Sequence, residues 1–160
     1  MGRIGLALTL AGTAALLPGC FPEPVACPAI GHVAGLSLAV SANYADDVAS
    51  LRLEACQDGL CTEEDLMLNP GATAVDQGCT PDGVCSATSS PDGTLQAFLE
   101  LPALSESPLK ATLTGTSPTG IALPVRTLTF TPTGDYPYGE QCGRVITAAL
   151  TLDEAGLRQR

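Results

Sequence analysis

From residue 33 onward the chain alternates apolar and polar positions with a period of two. Leu36, Leu38 and Val40 alternate with Ser37, Ala39 and Ser41, and Leu51, Leu53 and Ala55 with Arg52, Glu54 and Cys56. The pattern returns in Leu95, Ala97, Leu99 and Leu101, in Leu109, Ala111 and Leu113, in Leu128 and Phe130 among threonines, and in Ile146, Ala148, Leu150 and Leu152. Successive side chains of a strand point to opposite faces, so each run offers one face to a core and the other to water. Turn chemistry separates the runs: Asp58-Gly59, Asn69-Pro70-Gly71, Pro81-Asp82-Gly83, Pro91-Asp92-Gly93, Pro118-Thr119-Gly120 and Glu154-Ala155-Gly156. Short strands at this spacing predict an all-β domain over residues 33–160, an antiparallel β-sandwich of about seven to nine strands.

An immunoglobulin-like sandwich is the first choice and a small barrel the second. The chain has no tryptophan, so the tryptophan-on-disulfide core of antibody domains is excluded, and the likeness is to the wider bacterial immunoglobulin-like group. One segment breaks the alternation. Thr62 and Asp65 in Thr62-Glu63-Glu64-Asp65 have the spacing of a capping box and allow a single helical turn before Pro70.

The N-terminal residues follow a different rule. After Arg3, residues Ile4 to Leu17 are apolar or small and uncharged. Fourteen such residues match the apolar region of a signal peptide and fall short of the roughly 20 that a spanning helix needs. Pro18 and Gly19 interrupt the run just before Cys20. Leu16-Leu17-Pro18-Gly19-Cys20 resembles the lipobox of bacterial lipoproteins: Leu17 and Gly19 match the preferred residue types, and Pro18 departs from the usual small residue. The resemblance covers about the first twenty residues. It implies removal of residues 1–19, a diacylglyceryl group on the Cys20 sulfur, and attachment to the outer side of the cell membrane. Two acyl chains suit stable anchoring, since each buried methylene contributes about 0.8 kcal/mol. An ordinary secretory signal cleaved near Gly19 would instead leave Cys20 as a thiol or disulfide partner. Residues 20–32 then form a lipidated, proline-rich tether, with three prolines between Phe21 and Pro28.

Cysteine arithmetic agrees with lipidation. The chain has seven cysteines, and setting Cys20 aside leaves an even number for an exported, oxidising compartment. Cys56 and Cys61 flank one turn and Cys79 and Cys85 another, so local disulfides Cys56–Cys61 and Cys79–Cys85 are expected, with Cys27–Cys142 by elimination. The rival arrangement crosses the two clusters, pairing Cys56 with Cys85 and Cys61 with Cys79, and keeps Cys27 with Cys142. Zinc is disfavoured, because no C-x-x-C occurs and His32 is the only histidine.

The net charge of −10 argues against nucleic acid as a partner and against a basic membrane-hugging face. The single lysine among seven basic residues, with 17 glycines and 13 prolines, fits a GC-rich genome such as an actinobacterium's. His32 has no nucleophile motif around it, and no G-x-S-x-G elbow is present. Asp46-Asp47 and Glu63-Glu64-Asp65 read as solvated loop charge. Asp58, Asp76 and Asp82, with the 63–65 cluster, are candidate calcium ligands if the cysteine-rich loops share one end of the sandwich. Tyr136 and Tyr138 flank Pro137 on a loop and are candidate interface residues. The expected function is a non-enzymatic binding or scaffolding role in the cell envelope, without cofactor, with the membrane as lipid-held partner and an envelope protein as a possible second. The alternative is an extracytoplasmic enzyme or a solute- or calcium-binding component that uses loop carboxylates.

Overall fold

The computed structural model describes residues 26–29 and 31–160. The expected leader over residues 1–19, and Cys20 with the first residues of the tether, lie outside the described residues. Ten strands are present among those described: β1 Gly35–Val40, β2 Ser50–Gln57, β3 Leu60–Asp65, β4 Asn69–Cys79, β5 Cys85–Glu100, β6 Leu109–Thr116, β7 Arg126–Phe130, β8 Thr133–Asp135, β9 Val145–Asp153 and β10 Gly156–Gln159. One sheet has the order β10-β9-β1-β5-β4, with β8 also paired to β9; the other has the order β3-β2-β6-β7. All ladders are antiparallel except β1 with β9.

The period-two pattern decides how the sheets meet. Leu36, Leu38 and Val40 of β1, Leu99 of β5, and Leu150 and Leu152 of β9 face Leu51 and Leu53 of β2, Leu109 and Leu113 of β6, and Phe130 of β7 in one buried cluster. Alanines 55, 97, 111 and 148 share this cluster and let the two layers interdigitate. No polar or charged residue is buried among the described residues, so the core is held by apolar contact alone. A short helix, α1 Ala42–Ala45, follows β1 and buries Tyr44 and Ala45 against the same cluster.

Four details differ from the expectation. The sandwich is not wholly antiparallel, since β1 runs parallel to β9. Ten strands replace seven to nine, because the last alternating run is flanked by the short pieces β8 and β10. The Thr62–Asp65 segment is strand rather than helix: Arg52 lies opposite Asp65 in the ladder, donates from Nε to Glu63 at 2.8 Å and from Nη1 to Asp65 at 3.0 Å, and so fixes the acidic run across the sheet. The guanidinium holds the Glu63 carboxyl below its usual range, by hydrogen bond first and by charge second. Finally, Asn69-Pro70-Gly71 opens β4 instead of forming a turn, and Pro91-Asp92-Gly93 lies within β5 instead of ending a strand. They sit opposite each other in the β4–β5 hairpin as an irregularity between the pairs Pro70↔Leu95 and Ala72↔Pro91. The backbone and hydroxyl of Thr94 both donate to Asp92 Oδ1, at 3.0 and 2.6 Å, and Gly93 takes a φ of 77° beside Ala42 of α1. That bulge replaces a turn because its polar groups satisfy one another locally.

Two outcomes are expected. Leu99→Ala will cost about 2–5 kcal/mol in urea unfolding, as for other buried leucines, whereas Phe98→Ser, one position along and half exposed, will cost far less. The Thr94 bonds hold Asp92 below the usual carboxylate range. A depressed native pKa stabilises above the unfolded value of about 3.9 and ceases to do so as the pH falls through the native one. Asp92→Ala will therefore destabilise the domain at pH 7, and the gap to the parent, read from melting curves, will narrow below about pH 4.

Candidate functional site

The Cys27–Cys142 disulfide joins the entering chain to the segment ahead of β9, with Cα atoms 5.3 Å apart. The residues around it are placed by a chain of local bonds. β8 ends at Asp135, whose carboxylate accepts the Tyr136 N–H at 2.7 Å. The Tyr136-Pro137-Tyr138 segment then turns at Gly139, whose φ of 87° is open only to glycine without strain and whose N–H donates to the Tyr136 carbonyl at 3.0 Å. A 3-10 turn, Glu140–Cys142, carries the sulfur to Cys27. This geometry leaves both tyrosine rings about two-fifths exposed.

Neighbours of the tyrosines extend the surface. The Arg144 guanidinium lies 5.7 Å from the centroid of the Tyr136 ring and is paired with Glu106 at 2.5 Å. The ring of His32, on the incoming chain, lies 6.2 Å from that of Tyr138. Val33, at 62% exposure, and Phe98, at 49%, border a shallow groove with Val145 and Ile146. The end of the sandwich where the chain enters thus carries an exposed patch of aromatic and aliphatic side chains with one ion pair at its edge. Such a patch suits protein contact, since aromatic residues and Arg are enriched in interface cores.

The opposite end is built differently. In β1 and β5, Gly35 pairs with Glu100 beside the entering chain and Val40 with Leu95 at the far end. Beyond Leu95 only β4 accompanies β5, and the two continue as a two-stranded arm to the Cys79–Cys85 disulfide. From Ala72 to Ser89 every residue of the arm is exposed. A free two-stranded ribbon is marginal in water. Here the bulge at its base and the disulfide at its tip, with Cα atoms 3.9 Å apart, constrain both ends.

The cysteines pair within their turns and are not crossed between clusters. Cys56 and Cys61 face each other on β2 and β3, with Asp58 and Gly59 at positive φ in the hairpin turn between them. The candidate calcium ligands do not gather. Asp58 accepts from Ser105 Oγ at 3.0 Å, Asp76 accepts from the Gly78 N–H at 2.8 Å within the arm, and Asp82 lies at the arm tip. Among the described residues the one group of three possible ligands within metal-holding distance is Glu54, Cys56 and Cys61, and its two sulfurs are bonded to each other. An apolar cleft bordered by Ala55, Leu60, Leu101 and Leu109 encloses about 80 Å³, well below the roughly 300–1,000 Å³ typical of small-molecule sites.

Sequence reasoning singled out Tyr136 and Tyr138 but missed Val33, Phe98 and Arg144. Phe98 carried a usable signal, since it is an aromatic residue on the outward phase of an alternating strand. The arm was missed because its strands bury neither face and so carry no apolar–polar alternation. No protein-family model, curated protein or solved structure matches this chain.

The three disulfides differ in what they hold. Replacing Cys27 and Cys142 by serine opens a loop of more than one hundred residues, and will cost on the order of 4–5 kcal/mol in the chain-entropy account. Replacing Cys79 and Cys85 will cost about 2 kcal/mol or less, because the loop is short. Denaturant unfolding of the two double variants checks the order.

Proposed function

We propose that this protein is an exported lipoprotein, anchored through Cys20 on the outer side of the cell membrane, whose immunoglobulin-like sandwich serves as a non-enzymatic binding or scaffolding module. The observation that carries the reading is the sulfur pairing. The six cysteines from Cys27 onward are all joined to one another, a state suited to an oxidising compartment, and the seventh lies in the lipobox-like segment. The Cys27–Cys142 bond brings the domain within seven residues of Cys20, at most about 25 Å of extended chain. A domain held so close presents its far end outward, and the far end is the arm.

The strand order supports the immunoglobulin-like reading. β1, β5 and β4 stand in the places of strands B, E and D, and β3, β2, β6 and β7 in those of C′, C, F and G, all antiparallel as that fold requires. The departure lies beside strand B, where the C-terminal β9 runs parallel to β1 in the place strand A would take. The arm is the D–E hairpin, lengthened. A binding role draws support from the two exposed surfaces, the aromatic patch beside the tether and the arm, and from the dispersal of the acidic side chains. The partner expected of these surfaces is another envelope protein.

Intact mass of protein recovered from the membrane fraction tests the anchor. The expected species begins at Cys20, carries two or three acyl chains and lacks the six hydrogens of three disulfides. Cys20→Ser will shift the protein out of the lipid-bearing membrane fraction. An unprocessed chain in the cytosolic fraction with free thiols overturns the reading.

A further inference from the structure

The two hairpin disulfides are alike in sequence and unlike in support. Each joins residues directly opposed in an antiparallel ladder, Cys56↔Cys61 and Cys79↔Cys85, at separations of 5 and 6 residues. Around Cys56 the fold holds the strands together without the bond. β2 lies between β3 and β6, and Ala55 beside Cys56 is buried. The Gln57 amide donates to the Ser105 and Ser107 carbonyls at 2.9 and 2.7 Å and accepts the Ser105 N–H at 3.0 Å. Cys79–Cys85 has no such support. Every residue from Ala72 to Ser89 is exposed, and a register shift separates this pair from the next one, Asp76↔Ala87. Within the loop the Thr80 N–H donates to the Val84 carbonyl and the Gly83 N–H to that of Thr80, both at 2.9 Å.

A disulfide resists reduction to the extent that the reduced fold keeps its two thiols together, which acts as an effective concentration. A sheet packed on a core supplies that at Cys56 and Cys61. A two-stranded ribbon, marginal in water, does not. Charge works in the same direction. A Glu54 carboxylate oxygen lies 3.2 Å from Cys56 Sγ, where it repels an incoming thiolate and a departing one. The acid in the arm's turn, Asp82, is exposed, so water screens it. We propose that Cys79–Cys85 is a thiol–disulfide exchange site for a dithiol reductant, and that opening it releases the arm from its ordered state. One thiolate of the dithiol attacks a sulfur of the bond, forming a mixed disulfide and expelling the other cysteine as a thiolate. The second thiol of the reductant then attacks the mixed disulfide and expels the first cysteine. The dithiol becomes a disulfide, and its two protons pass to Cys79 and Cys85. The reverse reaction closes the arm again. Because the bond supplies order that packing does not, its loss frays the ribbon, while the leucine core keeps the sandwich intact. The inference goes beyond the lipoprotein reading and uses neither the lipid nor the tether.

The full chain is purified in detergent and its intact mass recorded first, which reports the lipid separately. It is then equilibrated at about pH 8 with mixtures of reduced and oxidised dithiothreitol, the thiolate being the reacting form. Free thiols are blocked with N-ethylmaleimide and located by peptide mass. Cys79 and Cys85 will be labelled at a dithiol-to-disulfide ratio about tenfold or more below that needed for Cys56 and Cys61. Cys27–Cys142 lies at the other end of the sandwich, and the same map reports it separately. At the ratio that opens the arm, hydrogen exchange within residues 72–90 will quicken about tenfold or more, and exchange in β2 and β6 will stay as it was. The double variant Cys79→Ser, Cys85→Ser will show the same fast arm without reductant, and its slow β2 and β6 amides will show that it is folded. The proposal is overturned if the two hairpin bonds open together or in the reverse order, if arm exchange is the same with the bond open or closed, or if β2 and β6 loosen along with the arm.

Discussion

The structure depends on two layers of leucine meeting across the gap between its sheets. Leu36, Leu53, Leu99, Leu109 and Leu150 are wholly removed from water, and each contributes on the order of 1.5–3 kcal/mol of transfer free energy. No buried polar network shares that task. The alternation along each strand is therefore strict where the sheets overlap: a shift of one residue in β1 or β6 would present Ser37 or Thr112 to the core and expose leucine. The ladder registers, the packing of α1 and the entry angle of the chain follow from keeping those faces together.

Where this constraint ends, a second kind of construction takes over. β5 spans both regimes: from Leu95 to Glu100 it is central in a sheet, and from Cys85 to Pro91 it has one neighbour and no core. Hydrophobic burial cannot hold the second part. The Asp92–Thr94 bonds, the positive φ of Gly93 and the Cys79–Cys85 bond act locally instead. The end where the chain enters is built in the same way, with Asp135, Gly139 and the Cys27–Cys142 bond shaping a loop that displays its tyrosines. Both surfaces free to meet a partner are thus held by turn chemistry and sulfur, leaving their outward side chains unconstrained by packing.

This division explains what could be read from the chain beforehand. The sheets were legible because burial writes a period of two into the sequence, and the inward residues of β1, β2, β5, β6 and β9 follow that period. The Thr62–Asp65 segment misled because a capping box is a local signal, whereas the partner that decides its conformation, Arg52, comes from the preceding strand. Pro91-Asp92-Gly93 misled for a related reason: the same residues that favour a turn also favour a bulge, and only the partner strand at Gly71 decides between them. The acidic residues were overread as a possible cluster, since sequence gives their number and not their spacing in three dimensions.

Charge follows the same division between core and surface. No charged residue among those described enters the leucine core, so the excess acidity of a chain of net charge −10 stands at the surface. Part of it is tied down by arginine: Glu63 and Asp65 face Arg52, Glu106 faces Arg144 and Asp153 faces Arg158. Part stands on outer strands, where Glu64 of β3, Asp76 of β4 and Asp135 of β8 discourage edge-to-edge pairing. Burial therefore decides which strands meet inside the molecule, and charge acts on the edges that burial leaves open.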